Sequence, residues 1–219
     1  MGHLNINIPL TEKSYYTPIV AKQNEEKIKN VIIPRFGKYI DNISVLTNVP
    51  AQLIQSIIFI ESGGNQNASS PYAVGLMQVG FATASDTLVK EKGLGRLRDG
   101  EIKILKKYLG SRYSLLDKVK PNQKTIGKTF ITKADLLNPE FNILVGSILL
   151  KQLIDEFSEN TLRLDKVVVI YNGGRTGSVA KKIIPFKGTT DEMITQVPKE
   201  TANYIKKLIG NNGVLTGLV

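Results

Sequence analysis

The sequence predicts a mainly α-helical fold with one small β element or hairpin at most. Three observations predict it. Apolar residues recur at helical spacing over long stretches; Asn, Pro and Gly stand where helices would start and stop; and 219 residues, 42% of them apolar, suffice for one compact core.

Residues 1–22 read as an irregular arm, because Pro9 and Pro18 interrupt any period, and residues 23–219 read as the domain. From Asn24 to Thr47 the apolar positions Ile28, Val31, Ile32, Phe36, Ile40 and Ile43 keep a helical period, with Pro34 expected to divide the stretch into two helices. Asn48 is the expected N-cap of the next helix, with Pro50 near its first turn, Ser62 near its end and Gly63 as its stop. Residues 86–137 form a lysine-rich insertion in which "KTIGKTFIT" is a candidate hairpin. Clear helices follow in "NPEFNILVGSILLKQLIDEF", "TLRLDKVVVIYN" and "PKETANYIKKLIG", the last starting near Pro198 and stopping at Gly210. There is no internal repeat and no low-complexity segment.

Composition narrows the chemistry. Without Cys there are no disulfides, no thiolate nucleophile and no Cys-held metal, and the single His3 lies in the N-terminal tail. Catalysis would therefore use carboxylates, hydroxyls, Lys or backbone, with no cofactor and no metal expected. A net charge of +10 suits nucleic acid, anionic membranes, an acidic wall polymer or simply a soluble basic surface. The N-terminus shows no basic and then apolar leader, Ile6 occupies the position where myristoylation wants Ser or Thr, and "NILVGSILL" is too short to span a bilayer. A chain without a transmembrane segment or signal peptide is the expectation, carried by other means if it acts outside the cytoplasm.

One carboxylate stands out. In "LIQSIIFIESGGNQNASSPYAVGLMQVG", Glu61 falls on the stripe of Ile54, Ile57 and Ile58 at i, i+3, i+4 and i+7. Partial desolvation there and the negative end of the helix dipole both favour its neutral form, as a general acid requires. Gly63 and Gly64 let a ligand or another backbone come close. The competing reading is a helix-end Glu turned to solvent.

Four pieces of sequence occur in an order that resembles the lytic transglycosylase and goose-type lysozyme superfamily. They are Glu61–Ser62 with Ser70–Pro71 and "GLMQV"; "NPEFNILVG"; "YNGG" at Tyr171–Gly174; and "ETANY" at Glu200–Tyr204. The resemblance covers roughly residues 48–208 and implies a lysozyme-like, goose-type helical domain acting on peptidoglycan. It implies that Glu61 is the sole catalytic carboxylate. Glu61 would protonate the oxygen between N-acetylmuramic acid and N-acetylglucosamine, then take the proton of the muramic C6 hydroxyl as a 1,6-anhydro ring closes. Ser70, Gln78, Tyr171 and Asn172 match substrate-side positions, and Glu200 a second groove acid that is not the nucleophile.

A single-acid scheme agrees with the physics. Retention by hydrolysis needs a second carboxylate at ~5 Å and inversion one at ~6.5–9.5 Å. Glu140, Asp86 and Glu200 are the nearest candidates by motif context. The pattern departs from the family at Val79, Gly80 and Phe81, where Met-Pro is common, at Ile170 and Gly173, where Ala is common, and in the long spacing from Gln78 to Asn142. That surplus holds Lys103, Lys106, Lys107, Lys118, Lys120, Lys124 and Lys128, which would contact peptide carboxylates or wall phosphates, or else form a solvated surface. "VVVIYNGG" and "ETANYIKK" also read as a buried helix with a Gly cap and as a helix start favoured by Glu200. Alternatives to transglycosylation are muramidase hydrolysis of the same bond and a non-catalytic wall-binding virion component. Nucleic acid is not expected, since the aromatics form no recognition motif with the basic residues. A leaderless wall-cleaving domain suits a bacteriophage, in its particle or released at lysis, acting at the cell wall or periplasm.

Overall fold

A computed structural model of the chain describes residues 7–120, 123, 126, 130–159 and 161–219. Its helices are α1 Pro18–Lys27, α2 Ile33–Thr47, α3 Ala51–Ser62, α4 Phe81–Gly93, α5 Asp99–Leu109, α6 Ser114–Asp117, α7 Lys133–Leu137, α8 Pro139–Glu156, α9 Leu164–Gly173, α10 Ser178–Ile183, α11 Thr190–Gln196 and α12 Lys199–Ile209. Strands β1 Thr11–Ser14 and β2 Gly210–Asn211 form a parallel pair, Thr11 opposite Gly210 and Ser14 opposite Asn211. The fold is mainly helical with a two-stranded sheet among the described residues, as the sequence predicts.

The chain divides into two compact units, residues 32–149 and residues 1–31 with 150–219. In the first, α2 packs on α3 and on α5. Ile40 and Ile43 of α2, Leu53, Ile54, Ile57 and Ile58 of α3 and Leu105 of α5 are fully buried. The basic stretch 86–137 contributes to this core: Leu88 and Val89 of α4, Leu109 of α5, Leu116 of α6 and Leu136 of α7 are all buried, while Lys103, Lys106 and Lys107 of α5 are exposed. The amphipathic period of α5 produces both faces at once. In the second unit α9 packs on α12 and α10, burying Val167, Val168 and Val169 against a core that includes Ile205, Leu208 and Ile209.

Several boundaries differ from the sequence reading. Pro18 begins α1 instead of interrupting it, because its missing N–H is not needed at a first helical position and Thr17 Oγ1 accepts from the Val20 N–H at 3.3 Å. The segment read as an irregular arm thus holds β1 and the start of α1. A π-helical segment, Ile28–Ile32, joins α1 to α2 just ahead of Pro34, which lacks the N–H of a regular α ladder. Asn48 closes α2 in the left-handed conformation (φ 59°) instead of opening α3, whose N-cap position is Pro50. Asn suits both jobs, and only three residues, Asn48, Val49 and Pro50, separate the helices. The candidate hairpin at 124–132 lies largely outside the described residues. No helix among the described residues is long and apolar enough to cross a membrane.

Candidate active site

Glu61 is the penultimate residue of α3 and half-exposed, one turn beyond the fully buried Ile57 and Ile58. The helix ends at once. Ser62 Oγ donates to the Ile58 carbonyl at 3.0 Å and accepts from the Gly64 N–H at 3.3 Å, while the Gly63 N–H, at φ 60°, bonds the Phe59 carbonyl at 2.9 Å. At Gly64, φ 82°, a Cβ would stand 3.0 Å from Ile32 Cγ1. The glycines therefore turn the chain sharply past the carboxylate and against α2, and Arg35 Nη1 donates to the Gly64 carbonyl at 3.2 Å.

The chain then folds into a loop, residues 68–80, laced by antiparallel bridges from Ser69 to Val74 and from Val74 to Val79. Exposed Ser70 turns its Oγ inward on this loop, accepting from the N–H groups of Tyr72 and Ala73 at 3.2 and 3.0 Å. Gln78 has a positive φ of 47°, and its Nε2 donates to the carbonyls of Gly75 and Ala68 at 2.8 and 3.2 Å. The amide nitrogen of Gln78 is thus engaged within the loop. Both residues thus have structural roles in the same loop.

Residues the sequence reading did not single out hold that loop in place. Asn142 of α8 is fully buried; its Oδ1 accepts from the Met77 N–H at 2.8 Å, and its Nδ2 donates to the carbonyls of Val74 and Leu136, both at 2.9 Å. A Cβ on Gly75 would lie 2.3 Å from the Leu136 carbonyl, and one on Gly146 2.6 Å from Met77 Sδ. The signal was present in "NPEFNILVG": an Asn inside an apolar run, four residues before a Gly on the same face. Gly80, within the Val79–Phe81 stretch that departs from the family pattern, lets the Tyr72 carbonyl approach to 2.8 Å of where a Cβ would be. Tyr72 itself is 85% exposed at the loop's surface, a large aromatic that the sequence reading did not name.

Tyr171 and Asn172 lie in the last turn of α9, which Gly174 caps with its N–H on the Ile170 carbonyl at 2.9 Å. Both are partly exposed. Glu200 is exposed in the first turn of α12, the helix that packs on α9. These three residues belong to the unit of 1–31 and 150–219; Glu61, Ser70 and Gln78 belong to the unit of 32–149.

The other carboxylates named as possible partners have distinct surroundings. Glu140, near the start of α8, accepts from Lys107 Nζ and from the Tyr108 hydroxyl, both at 2.6 Å. Desolvation pushes its pKa up, but these two bonds and the Lys107 charge outweigh it and hold the pKa below the ordinary value. Glu140 is thus an ionised structural residue. Asp86 of α4 is held above its ordinary value by desolvation.

Along the chain, an acid at the end of α3 is therefore followed by two glycines and then by the loop that holds Gln78. Residues 38–118, which run from within α2 to just past α6, match the family described as Transglycosylase SLT domain. This part of the chain is thus similar to the lytic transglycosylase domain, over less than half of the whole sequence. The match contains Glu61, Ser70 and Gln78 and much of the basic stretch; Asn142, Tyr171, Asn172 and Glu200 lie beyond it. The chain matches none of the curated proteins.

Proposed function

We propose that the protein cleaves the β-1,4 bond between N-acetylmuramic acid and N-acetylglucosamine without consuming water, with Glu61 as both acid and base. The observation that carries the reading is the position of Glu61 inside the family match, at a helix end that continues a buried stripe and is followed by a glycine turn. Glu61 gives its proton to the glycosidic oxygen as the C1–O bond breaks. The resulting carboxylate then takes the proton of the muramic C6 hydroxyl, whose oxygen bonds C1 and closes the 1,6-anhydro ring. The proton returns to Glu61, so the step balances with no second carboxylate. The Gln78 Oε1, Tyr171, Asn172 and Glu200 serve as substrate contacts, and Tyr72 as a stacking surface for a sugar ring.

Mass spectrometry of muropeptides released from purified sacculi tests this directly. The wild type should yield 1,6-anhydromuramic ends, and Glu61→Gln should lower the rate by at least the ~10²–10⁴ expected for a lost general acid. Reducing ends would instead indicate hydrolysis, as in a muramidase, and Glu200 would be the next residue to replace. Unchanged cleavage by Glu61→Gln would sink the assignment.

The exposed lysines of α5, Lys103, Lys106 and Lys107, extend the reading to anionic wall groups. Replacing these three and Lys118 with Gln should weaken sacculus binding most at low salt; identical binding across a salt series would remove that role. The bacteriophage association is tested by looking for this chain in purified particles, where its absence would rule out the particle-borne route.

A further inference from the structure

In the unit of 1–31 and 150–219, two cavities flank Arg163 at the start of α9. The larger, about 660 Å³, is lined by Phe157, Glu159, Lys166 and Phe186; the smaller, about 370 Å³, shares Arg163 and Lys187 with it. Both lie outside the family match, and the larger has the size of a small-molecule site.

Charge-assisted hydrogen bonds fix the walls. Arg163 donates from Nε and Nη2 to Asp165 at 3.0 and 2.8 Å and from Nη2 to the Gly188 carbonyl at 2.9 Å, while Thr190 Oγ1 donates to Asp165 at 3.0 Å. Lys166 Nζ donates to the Ile184 carbonyl at 2.7 Å. Two ion pairs thereby cancel: Asp165 with Arg163, and Glu156 with Arg175. On the lining of the larger cavity this leaves Lys166 and Lys187 against Glu159, two cations and one anion, a surplus of one positive charge.

Lys166 is the unusual member. It is only 8% exposed, its hydrogen-bond partner is a neutral carbonyl, and its ammonium lies 5.6 Å from the centre of the Phe157 ring. Desolvation first, then the Arg163 charge and last that of Lys187 lower its pKa below the ordinary value, against the opposing charges of Asp165 and Glu159. An ammonium has three N–H donors, so two remain to be directed at an acceptor. Burying a cation against a carbonyl costs free energy that a bound anion recovers.

We propose that this cleft binds a ligand ending in a carboxylate next to a small aliphatic group. The carboxylate lies on Lys166 and Lys187, and the apolar part against Phe157 and Phe186. One surplus charge and an apolar wall match such a monoanion better than a phosphate, which carries more charge and more acceptor oxygens. Resting on the peptidoglycan reading above, the ligand class is the free carboxylate end of a wall peptide.

The test is NMR of the full-length chain with ¹³Cε-labelled lysine, the Lys166 signal assigned by its loss in Lys166→Met. N-Acetylalanine should shift that signal saturably and raise the Lys166 pKa. N-Acetylalaninamide and inorganic phosphate should each bind at least about tenfold more weakly, a difference of ~1.4 kcal/mol. Lys187→Gln, at an exposed position, should weaken N-acetylalanine while leaving the fold intact. Glu61→Gln should bind it as the wild type does, so the cleft and the cleavage reading fail separately. No saturable shift, or equal binding of the amide or of phosphate, would overturn the proposal.

Discussion

The loop after Glu61 and the end of α9 both present polar side chains beyond a helix, and they are held by opposite means. Loop 68–80 is fixed from a distance: Asn142, 65 residues beyond Met77, satisfies three of the backbone groups that shape it, and Gly75 and Gly146 allow approaches that no Cβ would permit. The Tyr171–Asn172 end is set by its own cap at Gly174, and a Cβ on Gly173 or Gly174 would meet nothing within 4 Å. The first geometry is over-determined by packing and the second follows from the helix. Substitutions that leave Glu61 intact should therefore be costly around the loop and mild at the end of α9.

The largest effect should come from Asn142→Leu, which keeps the volume and removes every bond. The Met77 N–H and the Val74 and Leu136 carbonyls would be left unpaired in the core, which should cost about 3–5 kcal/mol in urea unfolding. Cleavage should fall with it, since Gln78 loses its support. A loss no larger than that of a surface substitution would show that the loop shapes itself.

Gly75→Ala and Gly174→Ala form a closer pair, because both glycines have positive φ, 83° and 74°. The strain of placing Ala there, about 1 kcal/mol, is common to both. Only Gly75 adds an overlap, its Cβ falling 2.3 Å from the Leu136 carbonyl, so its variant should lose about 2–4 kcal/mol in total. Equal losses at the two sites would mean that backbone conformation, not close packing, sets the loop.

Acid should act on the same side of the comparison. Asp135 caps α7 through Thr132 and pairs with Arg112 at 2.6 and 2.8 Å. Desolvation opposes its ionisation, but Arg112 and Thr132 hold its pKa below 3.8 overall, as Lys107 and Tyr108 hold that of Glu140 below 4.5. Lowered folded-state values mean stability that is fully present above the unfolded values and lost as pH falls through the folded ones. The thermal midpoint should thus be flat from pH 7 to 5 and decline below about 4.5. α7 supplies the Leu136 carbonyl and α8 supplies Asn142, so loop 68–80 should lose amide-exchange protection over that window, beyond the loss at the end of α9. Equal loss at the two places would break the assignment.

This contrast also marks what the sequence could say. Helices α3, α8, α9 and α12 were legible because each carries a sustained apolar period and a Gly or Pro signal at one end. The placement of Glu61 near the end of α3 was legible because the apolar stripe runs up to it and Gly63 follows. Asn48 and Pro18 were misread because each residue type serves at two kinds of helix boundary, and β1, four residues long, is too short to show alternation. The support of the glutamine loop was hidden for a different reason. Periodicity places Asn142 on a face of α8, but nothing local says that the backbone of residues 74–77 will meet that face.

The smallest expected effect tests the permissive half of the comparison. Gly173 is the last residue of α9, in a helical conformation, with room for a side chain. Ala there limits the unfolded chain more than it limits the folded one, so Gly173→Ala should gain about 0.5–1 kcal/mol. Muropeptide release should stay at the wild-type rate, because the added methyl leaves the Gly174 cap and the exposure of Tyr171 and Asn172 unaltered. A stabilised variant with slowed release would show that the space beside Gly173 belongs to the substrate. The end of α9 would then be as constrained as the loop, by a ligand instead of by a helix.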